Sequence, residues 1–298
     1  MEDAPVLADR APVPRRIHLA LVLALWSASA LPLGAVPQSK GAVPKEKDLL
    51  ANFEKGFASG DAATREAAIT TLGEASRELS DKGASKRVAQ ALVLGLKDAE
   101  LSVGAAALFQ LGREREVDTV ISALGETLRL HRAELEGKIR RKDVEARNYV
   151  ERATVLFRNA CRVLANYRDD RSAAILVGLL AKVPAESKDH DLTQRLVTAL
   201  APTTLELGTL AAFETAVKRL AGFTPDPEGP AQTLLTALEE AAERLELAPP
   251  KGAEATAAGW QKWLESNRAK LPAKLGRLTT PPTEDPRMAQ DGLPGYGG

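Results

Sequence analysis

Chemistry on this chain has to come from a short roster of side chains. There is 1 Cys and there are 3 His among 298 residues. That count excludes a disulfide framework and a Cys/His zinc cluster. A nucleophile–base pair needs Ser or Cys beside a His that a third group orients. Cys161 sits in an apolar stripe between Phe157 and Leu164, which reads as a buried structural thiol. His131 falls between Leu128 and Leu135, at the edge of another stripe, and reads as packed or half-exposed rather than as a base. His190 stands in Asp189-His190-Asp191 at the start of a helical stretch. Adjacent residues on a helix cannot all turn to one metal, and acids at a helix N-terminus suit its dipole without a further role. His18 belongs to an N-terminal apolar run. No G-x-S-x-G, G-x-G-x-x-G or P-loop pattern occurs. The sequence therefore assigns no catalytic, cofactor-binding or metal-binding residue, and the binding residues stay unassigned.

Charge narrows the partners. Lys+Arg and Asp+Glu both number 40, so the formal net charge is zero. A neutral chain does not attract nucleic acid or acidic lipid through its overall field. The basic cluster Lys138, Arg140, Arg141 and Lys142 closes a helical stretch, where cations suit the C-terminal dipole. Acids flank it, which weakens it as a phosphate or nucleic-acid patch.

The elements that would position these groups are helices. From Lys45 to Leu271 the dominant apolar period is helical, and runs of alternating Val, Ile, Thr and aromatics are missing. Ile69, Leu72 and Leu79 mark one stripe; Val88, Leu92 and Leu96 mark the next. Val150, Ala153, Phe157, Ala160, Cys161 and Leu164 form the clearest one. Stop and start signals fall between them: Gly60-Asp61, Asp98, the capping-box pattern Thr203 to Glu206, Asp226-Pro227 and Gly229-Pro230. Short connections make neighbouring helices antiparallel, and about ten or eleven helices of ordinary length fit the stretch. The fold class expected is all-α.

Three stretches look alike: Asp61 to Gly73, Leu96 to Gly112, and Leu164 to Leu180. Their spacing gives a loose period of roughly 35–45 residues, the signature of an α-solenoid. Leu96-Lys97-Asp98 with Val103, Ala106 and Leu111-Gly112 resembles a HEAT repeat, and Arg65 fits the family's Arg position in the preceding unit. Gly104 stands where that Arg is common in the second unit. The resemblance covers roughly Lys45 to Leu247. It implies a right-handed α-solenoid of antiparallel helix pairs, built from degenerate HEAT-like repeats, whose inner face often binds another protein. Residues 128–152 interrupt the period. Their alternating charges read as an extended helical hairpin turning near Lys142-Asp143, either a salt-bridged structural feature or a projecting contact surface.

The two ends read differently. Arg15-Arg16, the apolar run Ile17 to Ala30 and the small-x-small end Ala28-Ser29-Ala30 make a secretory signal. Residues 1–35 are the expected signal peptide, with cleavage near Ala30 or Ala35, and 36–44 a short linker. An uncleaved anchor is the alternative, and only then is the membrane a partner. The acidic, Pro-rich stretch before Arg15 suggests that translation starts later, for example at Val13. Arg10, Arg15 and Arg16 balance Glu2, Asp3 and Asp9, so removal of the signal leaves the chain neutral. At the other end, Trp260, Trp263 and Leu264 share a helix face within residues 255–271, and their W-x-x-W ending resembles the last helix of some secreted bacterial HEAT-like proteins. They read as a cap on the final apolar flank, with an aromatic ligand platform as the alternative. Residues 272–298, rich in Pro and Gly, are expected to be a disordered tail. Together these features point to a periplasmic or secreted, non-catalytic scaffold that binds another protein and carries no cofactor. An all-α enzyme or ligand-binding protein with a site in the groove is the alternative from another class.

Overall fold

Apolar residues at helical spacing, closed off by polar caps, account for the elements of the structure. The computed structural model describes residues 45–79, 82–139, 144–184 and 190–278. The expected signal peptide, the linker 36–44, Arg140 to Asp143, Asp189 and residues 279–298 lie outside the described residues. The described residues hold eleven α-helices and no strand. These are α1 (Glu46–Phe57), α2 (Ala62–Ser76), α3 (Lys82–Gly95), α4 (Leu101–Leu111), α5 (Val117–Ile139) and α6 (Val144–Asn166). They continue with α7 (Asp170–Ala181), α8 (His190–Glu206), α9 (Leu210–Leu220), α10 (Pro230–Arg244) and α11 (Ala257–Asn267). The all-α expectation holds.

Local chemistry sets the helix starts. Asp61 caps α2 by accepting from Thr64 N at 2.9 Å. Asp169 caps α7 through Arg171 N at 2.8 Å, and Thr209 and Thr256 cap α9 and α11. Gly229-Pro230 opens α10, with the proline in the first turn where its missing N–H costs nothing. Two expected caps work otherwise. Asp98 does not cap α4, whose N-cap is Glu100. Its carboxylate instead takes the Arg65 guanidinium in two hydrogen bonds, at 2.7 and 2.9 Å, and the Glu100 amide. Thr203 is not a cap either. It lies inside α8, and its hydroxyl bonds back to the carbonyls of Ala199 and Leu200. Pro202 removes one helical N–H, yet Ala199, Leu200, Ala201, Thr203, Thr204 and Leu205 are all buried. Their packing carries the helix past the proline. The stop comes at Gly208, whose φ of 68° suits a residue without Cβ.

Packing follows a simple rule. Each odd-numbered helix packs on the even-numbered one that follows it: α1 on α2, α3 on α4, α5 on α6, α7 on α8, α9 on α10. Helices also pack next but one. The order α1, α3, α5, α7, α9, α11 makes one layer, and α2, α4, α6, α8, α10 the other. One hydrophobic core, from Phe53 to Leu271, fills the space between them. The helices α5 and α6, 23 residues each, pack along one another, and Leu128, Leu135, Ala146 and Val150 form their buried seam. Tyr167, just after α6, pins the α4–α5 turn: its hydroxyl lies 2.7 Å from the Leu111 carbonyl and 3.0 Å from that of Glu114.

Candidate functional site

Two places gather polar side chains from separate parts of the chain: one between α8 and α10, the other at the turn between α6 and α7. The first is an open groove of about 380 Å³ between α8 and α10. Pro202 forms part of its wall from within α8; Pro227 and Glu228 close one end, ahead of α10. Thr233, Thr236 and Glu240 line it from α10. Gln194 Nε2 donates to Thr233 Oγ1 at 2.9 Å, which ties the two helices together beside the groove. The lining is rich in acceptors: two carboxylates and two hydroxyls. An open trough with polar groups set in a mixed polar and apolar lining suits side chains of another protein better than an enclosed apolar ligand.

The second place is the turn between α6 and α7, where the chain reads Arg168-Asp169-Asp170-Arg171. Asp169 is fully buried. Burial alone would raise its pKa. Hydrogen bonds from the Arg171 guanidinium, the Arg171 amide and the Leu278 amide outweigh that and hold it at about 2. Arg171 also reaches Asp118 at 2.6 Å, in the first turn of α5. The Arg171 pKa rises through its bond to Asp169, so both partners stay charged.

This second place corrects one boundary. The disordered tail was expected to begin at Pro272. Residues 272–278 instead pack back along the body. The Leu275 amide donates to Asp170 Oδ1 and the Leu278 amide to Asp169 Oδ2, both at 2.8 Å. Leu275 and Leu278 pack against the core as partly buried residues. Composition pointed to a tail because Pro and Gly are frequent there. The signal that opposes it is the spacing of Leu271, Leu275 and Leu278 in LPAKLGRL.

The structure keeps the residues singled out from sequence apart. Cys161 is sealed in the core on α6, and burial pushes its thiol far up, away from the reactive thiolate. His131 is half-buried on α5; burial pulls its pKa down against the pull of Glu134. His190 is exposed at the start of α8. Asp191 is engaged by Arg195, one turn on, and Arg195 also pairs with Glu151 of α6. Among the described residues no group of three His, Cys, Asp or Glu is placed to hold a metal ion. Likewise, no described helix is long and apolar enough to cross a membrane. Lys138 lies over the Tyr149 ring at 5.1 Å, tying that end of α5 to α6.

Trp260 and Trp263 are buried, edge to face at 5.1 Å, and Phe213 of α9 lies 5.3 Å from Trp263. The Trp263 indole donates to the Ala248 carbonyl at 2.7 Å. Rings held in this way cover the flank of α9 and present no platform.

Glu114, like Asp169, is a titratable group that no sequence signal singled out. Glu114, at the turn after α4, is only 4% exposed. Burial pushes its carboxyl up; hydrogen bonds from Arg115 N (2.7 Å) and Ser76 Oγ (3.4 Å) pull the other way. It does not line the groove between α8 and α10. No local motif marks it, because its burial comes from α2 and from Tyr167.

Comparison with protein-family models, with curated proteins and with solved structures finds no match. The functional reading therefore stands on the residues themselves.

Proposed function

We propose that this protein is an exported, non-catalytic α-solenoid scaffold of HEAT-like helix pairs that binds another protein through its helical surface. The observation that carries the reading is the order of helix packing, odd on odd and even on even. Stacked pairs of this kind leave two long helical faces, and such faces suit extended protein partners. The groove between α8 and α10 lies on the even-numbered layer and offers hydrogen-bond acceptors to a partner. An enzyme would use a shifted acid inside a cleft. The raised carboxyl here, Glu114, lies at the α4–α5 turn, apart from that groove.

Crosslinked capture from the envelope fraction tests the reading. A single partner is expected, with crosslinks concentrated on the even-numbered helices, and Thr236→Arg in the groove should abolish its capture. Consistent absence of any protein partner, or crosslinks scattered without regard to layer, would count against the scaffold. Export rests on Arg15-Arg16 and the apolar run that follows. N-terminal sequencing of the mature chain should find Leu31 or Val36 first. A chain retaining residues 1–30 would favour a membrane-anchored form.

A further inference from the structure

We propose that residues 272–278 are a strap that couples the helices α9, α7 and α5 into one mechanical unit. The strap crosses the N-terminal ends of these three helices in that order. At α9, the Leu210 amide donates to the Pro272 carbonyl at 2.9 Å. At α7, the Asp170 amide donates to the Gly276 carbonyl at 2.9 Å. At α5, the Arg277 guanidinium pairs with Asp118 at 2.9 Å. Leu210 and Asp170 are the first residues of their helices, so their amides have no partner within the helix. The strap carbonyls satisfy them. In return, Asp170 and Asp169 accept the strap amides of Leu275 and Leu278. Each side supplies what the other lacks, which makes the attachment cooperative.

The consequence is mechanical. A tilt of α9 away from α7 pulls Pro272 from Gly276, and only a short stretch of chain joins them. A tilt of α7 away from α5 works against Arg277 and against Arg171, which share the Asp118 carboxylate. Helix packing alone would let these seams flex at the edge, since packed helices slide and tilt at modest cost. The strap closes that edge for both seams at once. The relative placement of α9, α7 and α5 is thus controlled from residues 272–278, whether or not a partner binds elsewhere.

Gly276 offers a way to loosen the strap without touching a helix. Its φ is +87°, and a Cβ there would meet nothing within 4 Å. Gly276→Val therefore adds backbone strain, with a Cβ that meets no neighbour. The experiment is hydrogen exchange on the full chain, wild type against Gly276→Val. The expected result is a loss of protection of about tenfold at Leu210 and Asp170 together, alongside Leu275 and Leu278. The start of α2, around Thr64, should not change. Arg277→Ala, which removes only an exposed ion pair, should produce the same pattern more weakly and covers the case in which the valine variant fails to fold. Loss confined to residues 272–278, with Leu210 and Asp170 unchanged, would overturn the proposal. So would unaltered exchange in both variants.

Discussion

Replacing Asp169 with Asn tests the buried turn between α6 and α7. The carboxylate holds four donors: the Arg171 amide at 2.8 Å, the Arg171 guanidinium at 2.8 and 3.0 Å, and the Leu278 amide at 2.8 Å. Asn keeps one oxygen and loses the charge, so it cannot serve both Arg171 and Leu278. The fall of the pKa from 3.8 to about 2 corresponds to about 2 kcal/mol of stability at neutral pH. Mutational experience with buried charge pairs gives a similar figure, about 3 kcal/mol when one partner is removed. The expected loss is therefore about 2–3 kcal/mol, or a fall in Tm of about 4–8 °C for a chain of this size.

The pH dependence has a definite sign. A depressed folded pKa stabilises above the unfolded value of 3.8, and the benefit is lost as the pH falls through about 2. Urea unfolding of both proteins should show the full gap at about pH 7, narrowing steadily from about pH 4 downward. A gap below about 0.5 kcal/mol at neutral pH, or one that does not change with acid, would refute the assignment.

Three further outcomes are expected. Glu114→Gln should stabilise the protein at neutral pH, because burial raises the carboxyl of the wild type and its ionisation in the folded state is unfavourable. The Glu114 contribution to wild-type stability should be fullest below the ordinary glutamate range and be lost as the pH rises through the raised value, so the advantage of the variant should open over that interval; urea titration of both proteins from acid to neutral pH checks this, and a variant less stable at every pH would contradict it. Tyr167→Phe leaves the buried carbonyls of Leu111 and Glu114 short of a donor and should cost about 1–2 kcal/mol in thermal unfolding. Gly259→Ala would put its Cβ 1.8 Å from the Glu254 carbonyl oxygen, so the backbone before α11 must move. A destabilisation of about 1–3 kcal/mol is expected, and an unchanged Tm would show that this contact relaxes freely.

Some of this was legible in the chain and some was not, and particular residues show why. The stripe from Val150 to Leu164 announced α6 and the burial of Cys161, because helical period depends only on neighbours along the chain. Asp61 could be read as a cap for the same reason. Thr203 was misread: the capping-box pattern is local, and burial of the residues around Pro202 is not. Asp98 kept a polar role but changed partner, since its Arg65 lies on another helix. The Pro272 boundary failed because composition carries no information about the acceptors waiting at Asp169 and Asp170, far back in the chain.

By itself, then, the sequence determined that the chain is helical, neutral and poor in Cys and His. These properties follow from residue counts and from apolar spacing within a few turns. Only the tertiary structure decided which charges are buried, where Glu114 loses its solvent, how α8 and α10 leave a groove, and that residues 272–278 lie across three helix ends. Each of those depends on groups brought together from distant parts of the chain. Desolvation and hydrogen bonding between such groups exist only once the helices have packed.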